Sequence, residues 1–212
     1  VAGNASSASD VGLTAADARN TGLSLLTKTR NSVAHSETGH GVVVNAAASN
    51  AVRSLEVGFA GAGSAAIALS GNVPVITSDT QASIKAAQIN TLAGIAQANQ
   101  GVTVAAASDT YNLGIAGAAA AGGAVGAGAG ATVSVVKTTT KATVDSAANM
   151  TAAGDVVVSA KAQADFAAFA AALGVGGTAG IAGGVGVISV TDVTEARLGG
   201  AAIAGGNVQV LA

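Results

Sequence analysis

The sequence predicts an all-β chain: a right-handed parallel β-solenoid, or β-helix, with broad coils rich in Gly, Ala and Val and strands stacked in register. Three stretches that superpose without a gap carry this reading. They open at Gly41 (GVVV), Gly101 (GVTV) and Asp155 (DVVV) and close on TQASI to Ile84, TKATV to Val144 and TEARL to Leu198. Each closing residue lies 43 positions after its opening one, and only 85–100, 145–154 and 199–206 vary in length before the next start. A constant unit with variable connections marks a repeat architecture, in which each unit buries its apolar face against its neighbours. The units are then 41–100, 101–154 and 155–206. Residues 207–212 (NVQV onward) start another and 1–40 end a preceding one, all in one continuous solenoid.

Within each unit the apolar residues alternate at period two, as on a pleated strand. The opening phrases place Val42, Val44 and Ala46, then Val102, Val104 and Ala106, then Val156, Val158 and Ala160 on one face. Around 50–53, 109–112 and 164–166 the apolar phase slips by one. Leu55, Val57 and Phe59 take over on the other parity, as do Leu113 and Ile115. Such a slip predicts a corner or bulge between two strands. The following strands set Ile67, Leu69, Val73 and Val75 against Ala66, Ala68 and Ser70, and later Val133 and Val135 against Gly126, Gly128 and Gly130. Stacked in register, Thr80, Thr140 and Thr194, or Val73, Val133 and Val187, form like-on-like columns. A short helical excursion is expected in 85–97, and 166–173 (FAAFAAAL) has the composition for a helical turn or two.

Composition agrees with thin, tightly stacked sheets. The 212 residues are 50% hydrophobic, with 30 Gly, three Phe, one Tyr and no Trp, so few large side chains exist to fill a wide core. Charged residues are 9% and the net charge is −2, which leaves no basic face for nucleic acid. The apolar balance also excludes a disordered chain. The absence of cysteine fits an oxidising exterior. A chain that opens at Val1, and whose 23–33 segment (LSLLTKTRNSV) matches 133–144, is expected to be a piece of a longer protein. The uncharged windows 57–78, 110–136 and 166–191 are each long enough for a membrane span, but Ala and Gly supply little transfer energy.

The phrase order is GxVxVxA, a Gly/Ala-rich run, VSVV or VISV, TKATV or TEARL, then AGG before the next VxV. Over residues 23–212 it resembles the repeats of large bacterial filamentous adhesins, leukotoxin-like and filamentous-haemagglutinin-like. The resemblance implies type V secretion with an outer-membrane secretion partner, an extracellular location on the bacterial outer surface, and a long β-helical stalk serving attachment or biofilm. The amino-terminal secretion domain of such proteins is not among these residues.

Chemistry is sparse. His35, Glu37 and His40 (HSETGH) form the only histidine cluster and are the weak metal candidates; the spacing is not HExxH and no third convergent ligand is evident. The scattered Asp79, Asp109, Asp145, Asp155, Asp165, Asp192 and Glu195 suit corners, where Asp caps turning backbone. No GGxGxD, GxSxG or GxxxxGK[ST] motif occurs, so no cofactor, dedicated metal site or catalytic set is expected. Phe59 and Phe169 are expected to fill the core. Two sequons, at Asn4 and Asn149, permit glycans without indicating them. The expected function is structural, a segment of a secreted surface fibre whose partners are further repeats, copies of itself, or a host or matrix surface. Two alternatives stand beside it: a filament subunit stacking end to end, and a membrane-active, toxin-like segment using the uncharged windows. Loops 85–100 and 145–154 are the expected contact surfaces.

Overall fold

The structure, a computed structural model, describes residues 8–13, 34–37, 40–91 and 99–212, with the first two segments described as backbone only. These residues are all-β. Strands β1 (Ala8–Leu13) and β2 (Ala34–Glu37) form an antiparallel pair. From Gly41 onward the chain delivers strands to three parallel sheets in rotation.

Sheet I receives β3 (Gly41–Ala62), β7 (Gly101–Gly122), β10 (Val156–Gly176) and β13 (Val208–Leu211). Sheet II receives β4 (Ala65–Asn72) and β5 (Val75–Ile84), then β8 (Val125–Val144) and β11 (Ala179–Leu198). Sheet III is narrow: β6 (Gln88–Ile89), β9 (Asn149–Ala152) and β12 (Ala201–Ala204). Pairing is in register along every ladder. Gly41 pairs with Gly101, Val102 with Val156, and Val156 with Val208. Thr80, Thr140 and Thr194 form one column, and Val133 lies beside Val187. Val73 and Pro74 fall in the break between β4 and β5, because proline has no N–H for the ladder; the ladder resumes where Val135 N donates to Pro74 O at 2.9 Å.

The parity slip is not a corner. β7 runs unbroken for 22 residues, and Val102, Val104, Ala106, Ser108, Thr110, Asn112, Ala116, Ala118 and Ala120, all of one parity, are buried along its length. What changes is the chemistry of the inward face. At the base three sheets enclose a space wide enough for large side chains. Val102, Val104, Val156, Val158, Val144, Ile84 and Met150 fill it, each fully burying a side chain for about 1.5–3 kcal/mol. Next comes a polar layer, where Ser108 Oγ and Thr140 Oγ1 lie 2.6 Å apart and Asn50 Nδ2 donates to Ser78 Oγ at 2.9 Å. Beyond it only sheets I and II remain, face to face over Ala66, Ala68, Ala118 and Ala120.

No helix occurs among the described residues of 85–97. Gln88–Ile89 is strand instead, paired with Asn149–Met150, and 92–98 lie outside the described residues. Residues 166–173 belong to β10, so the helical alternative fails there too. The variable stretches are accordingly not free loops, since they supply sheet III and bury Met150 and Ala152. Of 1–40, the match at 23–33 lies outside the described residues; β1 lies against β3, β7 and β10.

Candidate functional site

The distal two-sheet region is a thin fin, and its dimensions follow from glycine. A Cβ on Gly128 would lie 2.6 Å from Leu173 O and 3.2 Å from Ala118 O, and one on Gly184 would lie 2.5 Å from Ala170 O. The backbones of the two sheets approach so closely that only hydrogen or methyl groups fit between them. Large side chains on this part of the chain must therefore point outward.

They do, on both outer faces. Phe59 is 79% exposed, Leu69 71% and Ile67 69%, and Leu55, Val57, Leu173, Val175, Ile181 and Val185 are also exposed. This corrects the expectation that Phe59 and Phe169 fill the core, because Phe169 is 47% exposed on the same outer face. The rows run across the layers as Leu55, Ile115, Phe169 and as Phe59, Ala119, Leu173 on sheet I. On sheet II they run Ile67, Ala127, Ile181. The phase slip was the signal for this surface. It records bulky residues changing sides of one unbroken strand.

Charge begins where the fin ends. On sheet II the row of Val75, Val135 and Ser189 gives way to the row of Thr77, Lys137 and Thr191. On the outer face of sheet I the root carries Arg53, whose guanidinium carbon lies 5.5 Å from the Tyr111 ring centroid, while Glu56 lies on the inward parity. Below the root, Tyr111 and Leu113 are buried. Further toward the base, Lys141 Nζ meets Glu195 Oε2 at 2.9 Å across adjacent strands. The hydrogen bond from Lys141, and then its charge, hold the Glu195 carboxyl below the usual glutamate range. A carboxyl depressed in this way adds stability above its unfolded-state pKa, and that contribution is lost as pH falls through the folded-state value. On an exposed surface the contribution is small. A carboxyl-resolved NMR titration is expected to place Glu195 below an ordinary glutamate and to return it toward the ordinary value in Lys141→Ala.

The residues singled out from sequence stay apart. His35 pairs in register with Gly12 and Glu37 with Ala8 through backbone; their side chains lie outside the described atoms. His40 is exposed, and its carbonyl accepts a hydrogen bond from Gly101 N at 2.9 Å. Among the described residues no three His, Cys, Asp or Glu side chains gather as a metal would require. Asp155 does cap a corner, its Oδ1 accepting from Asn207 N at 2.7 Å, while Asp79 accepts from the Gln81 amide at 2.8 Å. Asn149 lies on β9, not in a loop, and donates to Gln88 Oε1 at 3.3 Å; Asn4 is outside the described residues. Within the polar layer Thr110, Asn112, Thr132 and Ser134 are fully buried, and their side-chain oxygens meet no protein partner among the described residues. No described helix is long and apolar enough to cross a membrane. Comparison with family models, with curated proteins and with solved structures gives no match.

Proposed function

We propose that the chain is a structural segment of a right-handed β-solenoid, a stalk carrying a secreted bacterial surface fibre in attachment or biofilm, with no catalytic role. The observation that carries this reading is the stacking itself: successive units pair parallel and in register in all three sheets and bury the same columns layer on layer. In one column Val102 and Val156 are fully buried while Val208 is 48% exposed. In the next, Val104 and Val158 are buried and Val210 is exposed. Ile188 and Val190, on the inward parity of β11, are exposed as well. The apolar interior of a layer is closed wherever another layer of the same kind lies on it.

That layer is either a further repeat of the same chain or the first layer of another copy. The second source makes the alternative reading, an end-to-end filament, from the same surface. Electron microscopy with fibre diffraction separates them. Rods of one uniform length are expected for a stalk segment, and fibres of unlimited length for a self-stacking subunit. Either must show an axial spacing of about 4.8 Å; a preparation without it sinks the solenoid reading.

A further inference from the structure

The fin has no structural need for its outer side chains. Its interior is closed by Gly and Ala toward the tip, with Ser70, Asn72, Thr132 and Ser134 nearer the root, and its strands are held by backbone ladders, so polar residues would serve on both outer faces. Instead the outer rows carry Phe, Leu, Ile and Val beside Ala and Gly, and no charge lies in 57–75, 115–135 or 169–190. Contiguous apolar surface of this kind marks a contact with a partner or a membrane.

We propose that the fin is a lipid-binding element that enters the hydrocarbon region of a bilayer tip first. Two features select lipid over a second copy of the chain. The apolar surface covers both faces of one thin plate, whereas a docked protein covers a single face. The relief is irregular: Phe59, Ala119 and Leu173 form one row and Leu69, Ala129 and Gly183 another. Fluid acyl chains fill such a surface, whereas a rigid partner must match it.

The dimensions also agree. At about 3.3 Å per residue the outer rows reach about 26 Å from the tip on sheet I (55–62) and about 36 Å on sheet II (65–75), bracketing the roughly 30 Å hydrocarbon core. The first cations met from the tip on the outer faces, Arg53 on one and Lys137 on the other, then stand at headgroup level; Glu56 is of the inward parity, in register with the buried Ala116, and is not part of the outer row.

Backbone hydrogen bonds persist into the tip. Gly123 N donates to Ala62 O at 3.1 Å, and Gly177 N to Gly123 O at 3.2 Å, as a backbone entering an apolar medium requires. The open edges of the end layers are closed by neighbouring layers, and in that respect alone the inference rests on the stacked reading above.

The test is flotation of the purified chain with phosphatidylcholine vesicles, with and without phosphatidylserine. The chain is expected to float with the lipid. Leu69→Asp and Leu173→Asp change exposed side chains, so each should keep the β circular-dichroism spectrum while weakening partitioning on the order of a hundredfold. Because the chain has no cysteine, a polarity-sensitive dye can be placed singly at Ala129→Cys on the fin or at Thr139→Cys nearer the base. Vesicles should blue-shift only the first. A chain that stays in the lipid-free fraction overturns the inference. So do concentration-dependent dimers that the two Asp substitutions abolish, because they assign the fin to a second copy. Loss of the 4.8 Å spacing would strike the stacked reading, whereas its retention without vesicle binding would strike the lipid inference alone.

Discussion

Val104→Asp is expected to prevent the chain from folding, while Val135→Asp, the same substitution on a neighbouring strand, leaves the fold intact. Both valines sit in long strands of the middle layer. Val104 is fully buried among Val44, Val158, Val144 and Met150, a cluster with no cation among the described residues to pair with a carboxylate. The chain must either bury an unpaired charge or open the base, at a cost of about 4 kcal/mol or more. Val135 points outward at the edge of the fin and is 36% exposed. Its replacement should change stability by no more than about 1 kcal/mol. Urea denaturation of the two variants decides the matter, and equal losses would mean that the assignment of inner and outer faces is wrong.

Gly128→Val should destabilise the fin by about 3 kcal/mol, as a side chain inserted between close-packed layers does. The added Cβ alone meets two backbone carbonyls, Leu173 O and Ala118 O, and backbone held in two ladders cannot step aside as a flexible side chain would. Ala129→Val, one residue along and on the outer face, is the control. It adds a β-branched residue to an exposed strand position and should be neutral or slightly stabilising. Thermal unfolding of the pair reads the difference directly. If Gly128→Val melts with the parent, sheets I and II are not in backbone contact.

Strand identity and register were legible from the chain because both are local properties repeated. The opening phrases at Gly41, Gly101 and Asp155 share one alternation, and the ladders pair them in that alignment. The third sheet was hidden, because Gln88–Ile89 and Asn149–Ala152 lie in the stretches that vary in length, where two to four residues give no period. The break at Pro74 was legible in principle, since proline cannot donate to a ladder. The candidate site was half legible. On sheet I the slip at 50–53 and 109–112 marked Leu55, Val57, Phe59 and Ile115, yet the slip was given the meaning of a corner and Phe59 the place of a core residue. Histidine and the two carboxylate types drew attention by their chemistry, and the structure gathers no three of them among the described residues.

What the sequence by itself determined is periodic: parallel strands of matched length, stacked like on like, with small residues on one parity and large on the other. Which parity faces inward was decided only by the tertiary structure. At the base three sheets surround a space that valine fills, so there the larger residues of the alternation point in. In the fin two sheets meet alone, glycine lets their backbones close to contact, and the larger residues are left outside. Alternation records that a strand has two unlike faces. The distance to the next sheet, set by how many sheets close around the strand, determines which face is the interior.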